Sequence, residues 1–237
     1  MKVFAVIPAR GGSQRIPNKN LSLINGKPLI GIVIEALRKT AIFSQISVST
    51  DSSEISKTAE GFGVEVTHLR PENLSGHDIS TYDVMKYEIS QASQILDSDL
   101  VFCIYPTAIF IQEDEILDAL HKVKSNSKGY VISSTSQGFS PLRSFTYLSE
   151  NMEMLFPKYF NVRSQDLPTV YSDAGMFYAA LKKTWKEKPI FFGDGNRIIE
   201  IPRSRAIDIN EKEDLEIAEA IYNLKLLTEW KSKNEEG

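Results

Sequence analysis

Residues 2–20 read Lys2-Val3-Phe4-Ala5-Val6-Ile7-Pro8-Ala9-Arg10-Gly11-Gly12-Ser13-Gln14-Arg15-Ile16-Pro17-Asn18-Lys19-Asn20. A short apolar run leads directly into a loop holding two glycines and three cations. The run Val3–Ile7 has no polar alternation, which predicts a strand buried on both faces, as a parallel sheet requires. Gly11 and Gly12 lack a Cβ, so backbone N–H groups there can approach an anion closely. Arg10, Arg15 and Lys19 gather positive charge in a chain whose formal net charge is −4. At an effective dielectric of about 20, one unit-charge pair at about 4 Å is worth about 4 kcal/mol before desolvation. Such a cluster is unfavourable alone and favourable around a phosphate. A basic loop that merely caps a strand is the plainer alternative. The loop is not a Walker A sequence, because no Gly-Lys-Ser/Thr follows at the right offset, and it lacks the Gly-x-Gly-x-x-Gly of dinucleotide folds.

Outward from this loop, strand-like and helix-like segments alternate. Leu100–Tyr105 repeats the apolar pattern, Ile46–Ser49 is likewise read as a buried strand, and Val64–Thr67 predicts a shorter strand. Pro28–Thr40 places Ile30, Val33, Ile34 and Leu37 at helical spacing. Asp51-Ser52-Ser53-Glu54 predicts a capping box with Asp51 as N-cap. Ser80–Leu96 and Glu113–Lys124 predict further helices. The alternation implies right-handed crossovers and an open, mostly parallel, Rossmann-like α/β sheet. Ligands on such sheets gather at the carboxyl ends of the strands, here the loops after Ile7, Ser49 and Tyr105.

From about 137 to 195 the pattern turns irregular, with one strand-like run at Met176–Leu181. This stretch is expected to form an inserted substrate and dimerisation lobe on a single domain spanning 1–237. Ile198–Ile201 and Ala206–Ile209 return to strand character. Glu211–Trp230 predicts a closing helix with Ile217, Ala220, Ile221, Leu224 and Leu227 on one face, followed by a charged, frayed tail at Lys231–Gly237.

The 237 residues are 42% hydrophobic and 24% charged, enough for one sizeable core. The acidic balance argues against a general nucleic-acid binder. Cys103 is the sole cysteine, which excludes an internal disulfide, and its apolar surroundings predict a buried, inert thiol. The three histidines show no metal-site spacing. No signal peptide or membrane span is evident, and a cytoplasmic protein is expected.

The first loop resembles the signature of the CMP-sialic acid synthetase (acylneuraminate cytidylyltransferase) family. Its Gly-Gly-Ser-x-Arg-Ile-Pro form most resembles the pseudaminic acid cytidylyltransferase branch. The resemblance extends to about Ala220. It implies a fold of the nucleotide-diphospho-sugar transferase type and a CTP site formed by Ala9, Arg10, Gly11, Gly12, Ser13, Arg15, Lys19 and Asn20, with Arg10 and Lys19 on the triphosphate. Relatives usually carry lysine at the position of Gln14, and losing a charge-assisted hydrogen bond there costs ~1–3 kcal/mol. Leu69-Arg70-Pro71 matches a segment near the cytosine, making Arg70, and more weakly Thr81, candidate base contacts. A helix-flanking ion pair is the alternative for Arg70.

Tyr105-Pro106-Thr107-Ala108 resembles an active-site loop, with Ile109 in place of the usual proline and so an expected loss of rigidity. Alone, the Pro-Thr pair reads as a plain turn. Pro141-Leu142-Arg143 and the segment Asn161–Pro168, with Arg163 and Gln165, are similar to sugar-binding stretches. Tyr171–Tyr178 resembles the Asp-Ala-Gly-x-Phe-Tyr element, which brings in Asp173 and Tyr178. A nonulosonic acid carries a carboxylate, and guanidinium suits bidentate carboxylate recognition. Arg143 and Arg163 are therefore its candidates, with Arg203 and Arg205 in reserve; each alone also reads as a surface cation. Lys188-Pro189-Ile190-Phe191-Phe192 looks like an arm that reaches a partner subunit's sugar pocket in a homodimer, although two adjacent aromatics also suit an ordinary core.

Ala206-Ile207-Asp208-Ile209-Asn210 resembles a family Asp-Ile-Asp element that binds Mg²⁺, with Asp208 matching and Asn210 supplying an amide. Asn210 and Glu213 also read as a capping box. The implied reaction couples CTP to a nonulosonic acid such as pseudaminic acid, with pyrophosphate leaving, and Arg10, Lys19 and Asp208 as its catalytic residues. The sialic and legionaminic acid enzymes are close alternatives. A non-catalytic nucleotide-sugar binder is kept open by Gln14, Ile109 and Asn210.

Overall fold

The computed structural model describes residues 1–125, 128–187 and 191–235. Along the chain run β1 (Val3–Pro8), β2 (Leu23–Ile24), β3 (Lys27–Pro28), α1 (Leu29–Lys39), β4 (Gln45–Ser49), α2 (Ser53–Gly61), α3 (Thr81–Gln91) and β5 (Leu100–Ile104). Then come α4 (Glu113–Ser125), β6 (Val131–Ser136), β7 (Phe145–Leu148), β8 (Asn151–Met154), β9 (Tyr171–Leu181), α5 (Lys182–Glu187), β10 (Arg197–Glu200) and α6 (Lys212–Glu235).

Six strands form the central sheet in the order β10-β6-β9-β5-β1-β4. β1 pairs in parallel with both β4 and β5, and β10 pairs in parallel with β6. β9 alone runs antiparallel, between β5 and β6. The strand pattern accounts for this layering. In β1, Val3, Ala5 and Ile7 join the core cluster that contains the α1, α2 and α4 side chains, while Phe4 and Val6 join the one under α3 and α5. β5 divides likewise, Leu100, Phe102 and Ile104 against Val101 and Cys103. A strand buried on both faces needs no polar alternation, and that is why these runs were continuous.

Several local expectations differ from the structure. Val64–Thr67 and Ala206–Ile209 belong to no strand. Their apolar alternation is satisfied by packing Val64 and Ile209 into the core rather than by a ladder. The N-cap of α2 is Ser52, whose Oγ accepts from the Ile55 N–H, and not Asp51. α6 is capped by Asp214, which accepts from the Asn210 and Glu211 N–H groups, and not by an Asn210–Glu213 box. The backbone stays helical to Glu235, beyond the Trp230 expected, with 236–237 outside the described residues. The side chain of Leu227, assigned to the apolar face of this helix, also lies outside what is described.

The irregular lobe is smaller than 137–195. Its Met176–Leu181 run is the buried end of β9, an interior strand of the main sheet. What projects is the β7–β8 hairpin with its flanking turns, and this hairpin pairs only with itself.

Candidate functional site

Parallel register assembles the site. Pro8 lies opposite Ser49, so the chain leaves β1 and β4 side by side. The Ala9 N–H donates to the Ser49 carbonyl at 2.8 Å, and the Gly11 N–H donates to Asp51 Oδ1 at 2.8 Å. Ala9 is therefore buried and pairs with β4, contributing no ligand atom of its own side chain. The Gly11 amide is likewise committed to Asp51, whereas the Gly12 N–H has no partner among the described residues. Asp51 thus fixes the glycine turn instead of capping the helix. A Cβ on Gly11 would stand 3.0 Å from the Ser52 Cβ, so the turn packs closely on α2.

The loop then folds back. Asn18 adopts φ 53°, a left-handed conformation that asparagine tolerates, and opens the short turn Lys19–Leu21. Asn20 is buried and its Nδ2 donates to the Arg10 carbonyl at 2.9 Å. Asn20 thereby braces the loop from within. Lys19 Nζ donates to the Ile209 carbonyl at 2.6 Å and joins this loop to the segment carrying Asp208. Burial pulls the Lys19 ammonium below its ordinary value; Asp208 pushes it up, and Arg15 and Arg10 push it down.

These residues line a cleft of about 510 Å³. Arg10, Ser13, Gln14, Arg15, Lys19 and Asn20 form one wall; Arg70, Leu74, Gly76, His77, Ile79 and Thr81 another; Tyr105, Pro106, Thr107 and Asn210 complete it. Arg70 is buried, with Nη1 3.4 Å from Ser49 Oγ and Nη2 3.9 Å from Asp51 Oδ1. Its ion pair is with the residue before the α2 cap, so the helix-flanking alternative and the cleft placement both hold. Thr81 Oγ1 and Tyr105 OH are 2.7 Å apart, and burial raises the Tyr105 phenol above its usual value. The loop after β5 is tightly held without a proline. Ile109 is buried, and its N–H donates to the Thr107 carbonyl at 2.8 Å, a bond that proline cannot make. The expected loss of rigidity is therefore offset.

At the near edge of the cleft, Arg15 Nη2 donates to Asn210 Oδ1 at 2.7 Å and Arg15 Nη1 meets Glu211 Oε1 at 3.2 Å. Asn210 Nδ2 donates to Asp208 Oδ2 at 2.6 Å. Both amide atoms of Asn210 are thus engaged, and only its backbone N–H serves the helix. Gly175, at φ +63°, lies against Asp208: a Cβ there would stand 3.2 Å from the Asp208 Cγ. Asp173 accepts from the Gly175 N–H at 2.9 Å and from the Tyr178 hydroxyl. Among the described residues there is no group of three or more histidines, cysteines, aspartates or glutamates poised to hold a metal.

The candidate sugar contacts lie elsewhere. Arg143 and Gln165 line a second cavity of about 730 Å³ that shares no residue with the cleft, and Arg143 Nη1 donates to Ser164 Oγ at 3.1 Å. Arg163 is exposed. Arg203 lies over Gly138 beside this cavity. Arg205 is removed from candidacy: its guanidinium meets Glu115 Oε1 at 2.7 Å and donates to the Phe110 carbonyl. Phe191 is partly buried against the core, stacking on Tyr178 with ring centroids 4.4 Å apart and packing edge-on to Tyr130 and Trp185. Phe192 is 62% exposed, and Lys188–Ile190 lie outside the described residues. Cys103 is wholly buried, and burial raises its thiol.

A cation-lined cleft at the carboxyl edge of a mostly parallel sheet, entered by a glycine turn, marks an α/β nucleotide-binding protein. The cytidylyltransferase family model matches residues 4–221, and the chain belongs to that family. It is 36% identical over 231 residues to the pseudaminic acid cytidylyltransferase of Campylobacter jejuni, covering 94% of this chain and 97% of the relative. It is 31% identical over 236 residues to the CMP-N,N'-diacetyllegionaminic acid synthase of Legionella pneumophila, again covering 94% and 97%. In fold it is similar to the solved structure of CMP:2-keto-3-deoxy-manno-octonic acid synthetase complexed with CTP, with a TM-score of 0.70 at 18% identity, covering 95% of this chain and 100% of that one.

Proposed function

We propose that this chain transfers the cytidylyl group of CTP to the anomeric hydroxyl of a nonulosonic acid, pseudaminic acid being the preferred substrate. The sugar oxygen forms a bond to the α-phosphorus as the bond to the bridging oxygen breaks, and pyrophosphate carries that oxygen away. The observation that carries this reading is the convergence of Arg10, Arg15 and Lys19 on one cleft in a chain 36% identical to a named pseudaminic acid enzyme over nearly its full length. Arg10 and Lys19 neutralise the triphosphate, the Gly12 amide is available to a phosphate oxygen, and Arg70 and Thr81 serve the cytosine end. Most of the rate comes from positioning and charge neutralisation rather than from a side-chain base.

Asp208 is proposed as the protein's Mg²⁺ ligand, with Asn210 beside it. An oxygen donor cradled against Gly175, where a Cβ would crowd it, suits a cation that takes few protein ligands and several phosphate oxygens and waters. When bound, the ion supplies charge neutralisation at the phosphates and lowers the pKa of a coordinated hydroxyl.

The chain is also proposed to act as a homodimer. Phe145, Tyr147, Leu148, Met152, Leu155 and Phe160 are all exposed on the projecting hairpin lobe, more large apolar surface than an isolated monomer usually presents. Arg143 and Gln165 would then complete a sugar pocket in the assembled protein. No described helix is long and apolar enough to cross a membrane, which fits the cytoplasmic setting proposed for an enzyme consuming CTP.

The test is pyrophosphate release from CTP and Mg²⁺ with pseudaminic, legionaminic and sialic acids in parallel. Turnover preferring pseudaminic acid is expected. Preference for legionaminic acid moves the substrate to the neighbouring branch, and CTP binding without turnover on any sugar overturns the enzymatic reading. Equilibrium sedimentation showing only monomer removes the dimer.

A further inference from the structure

Ser49 ends β4 with its side chain buried, and its hydroxyl is used in two directions. Its Oγ donates to Glu88 Oε1 at 2.7 Å and accepts from Arg70 Nη1 at 3.4 Å. Glu88 stands on α3, two turns beyond the Thr81 end that lines the cleft. Its second oxygen lies 3.4 Å from His68 Nε2, and His68 Nδ1 in turn lies 3.1 Å from Thr67 Oγ1. On the far side of the guanidinium, Arg70 Nη2 lies 3.9 Å from Asp51 Oδ1, beyond hydrogen-bonding reach. The Arg70 side chain is 3% exposed and the Glu88 side chain 10%.

A guanidinium that far from water needs compensating charge. Burial pulls Arg70 below its ordinary value; Asp51 most strongly, and then Glu88, favour the charged form. Asp51 is shared with the Gly11 amide, and its distance to Arg70 gives attraction without direction. Direction comes from hydroxyls: Ser49 at Nη1 and Ser75 at Nε, 3.5 Å away. Both present a lone pair to Arg70 because their own protons are taken, that of Ser75 by the Pro71 carbonyl at 2.9 Å and that of Ser49 by the Glu88 carboxylate, a charged acceptor, at 2.7 Å.

We propose that Glu88 is a positioning residue for nucleotide recognition, acting through Ser49 to hold the Arg70 guanidinium in place along the cleft. The proposal rests on the cleft being the CTP site and Arg70 a base contact. A guanidinium only donates hydrogen bonds. Cytosine offers acceptors at both O2 and N3, whereas uracil places an N–H at position 3. A fixed Arg70 therefore favours CTP over UTP, and a displaced one loses both affinity and discrimination.

The experiment uses the full chain and measures kcat and KM for CTP, and the CTP-to-UTP ratio of kcat/KM, by pyrophosphate release. Glu88→Gln keeps an acceptor for Ser49 and removes the charge. It is expected to raise KM for CTP about tenfold with kcat within about twofold, the scale of one charge-assisted hydrogen bond, and to narrow the nucleotide ratio. Arg70→Gln is expected to raise KM for CTP on its own. In the Arg70→Gln background, Glu88→Gln is expected to change KM by no more than about twofold, because a residue acting through Arg70 has nothing left to act on. Ser49→Ala supplies an independent break in the relay, with the same rise in KM and kept kcat expected.

A KM that moves in Arg70→Gln but in neither Glu88→Gln nor Ser49→Ala overturns the inference and leaves the CTP site intact. An effect of Glu88→Gln that persists undiminished without Arg70 overturns it too, as a general structural role. An Arg70→Gln enzyme with unchanged KM for CTP removes Arg70 from base recognition, and the inference falls with it.

Discussion

Asn210→Asp completes the Asp-Ile-Asp pattern that this segment resembles, and its effect without metal follows from the contacts of Asn210. Asn210 Nδ2 now donates to Asp208 Oδ2 at 2.6 Å, while Oδ1 accepts from Arg15 at 2.7 Å. Aspartate keeps the shape but puts a carboxylate oxygen where the donor was. The lost hydrogen bond to a charged acceptor is worth about 1.5–3 kcal/mol. Repulsion from the exposed Asp208 adds up to about 1 kcal/mol, and a full ion pair with Arg15 returns about as much. The last two cancel, and the metal-free variant is destabilised by about 1.5–3 kcal/mol. For a chain of this size each kcal/mol lowers Tm by about 2–4 °C.

If Mg²⁺ is held by Asp208 as proposed, a second carboxylate at position 210 would favour it and reverse the sign of the repulsion. A metal bound about tenfold more tightly by the variant than by the wild type stabilises it by about 1.4 kcal/mol more at saturation. The assay is thermal unfolding by circular dichroism, with and without Mg²⁺, at matched ionic strength and in the absence of nucleotide. The variant is expected to melt below the wild type without metal and to recover about half of the difference or more with it. Asp208→Asn is expected to abolish the Mg²⁺ response in both backgrounds. A Mg²⁺ shift equal in wild type and variant, or surviving in Asp208→Asn, refutes the assignment of the metal to this segment.

Lys19→Met keeps the aliphatic stem and removes the cation, and is expected to lower kcat/KM for CTP by about 10²–10³, near the scale of one unit-charge pair in a partly buried site. Because burial holds Lys19 below the 10.5 of a free lysine, it sheds its proton earlier as pH rises. KM for CTP in the wild type should therefore climb from neutral toward alkaline pH, and in Lys19→Met this part of the profile should vanish. Asp51→Ala frees the Gly11 amide and removes the stronger counter-charge of Arg70, so KM for CTP should rise in isothermal titration or kinetics. Gly175→Ala imposes a left-handed φ on alanine and presses its Cβ toward Asp208, and should cost more than about 1 kcal/mol of stability by denaturant titration.

The sheet was legible because its strands are buried on both faces, and the first loop because a glycine turn with three cations is unusual in an acidic chain. Arg70, Thr81, Tyr105 and Thr107 do fall on one cleft with Arg10 and Lys19. What the sequence hid depends on partners distant along the chain. Nothing local links Asp51 to Gly11; the connection exists because Pro8 and Ser49 are in register. Arg205 looked like any spare cation, and Glu115 lies ninety positions away on α4. Glu88 sat unremarked on a helix face whose periodicity explained it fully. Val64–Thr67 and Ala206–Ile209 misled for the converse reason: alternation records burial, and burial does not require a ladder.

The reversal of β9 is what brings the rest of the site into reach. Five strands of the sheet share one direction, so their carboxyl ends all meet at the edge where the glycine loop opens. A sixth strand in the same sense would have delivered its last residues, Ala179–Leu181, to that edge. These are apolar and buried, and would serve no polar chemistry. Running antiparallel, β9 instead begins there, with Tyr171, Ser172 and Asp173 opposite Ser136, Thr135 and Ser134. That start carries Asp173 and the left-handed Gly175, which has no side chain to keep Asp208 away. One change of strand direction thus brings Asp173 to that edge and leaves Asp208 its clearance.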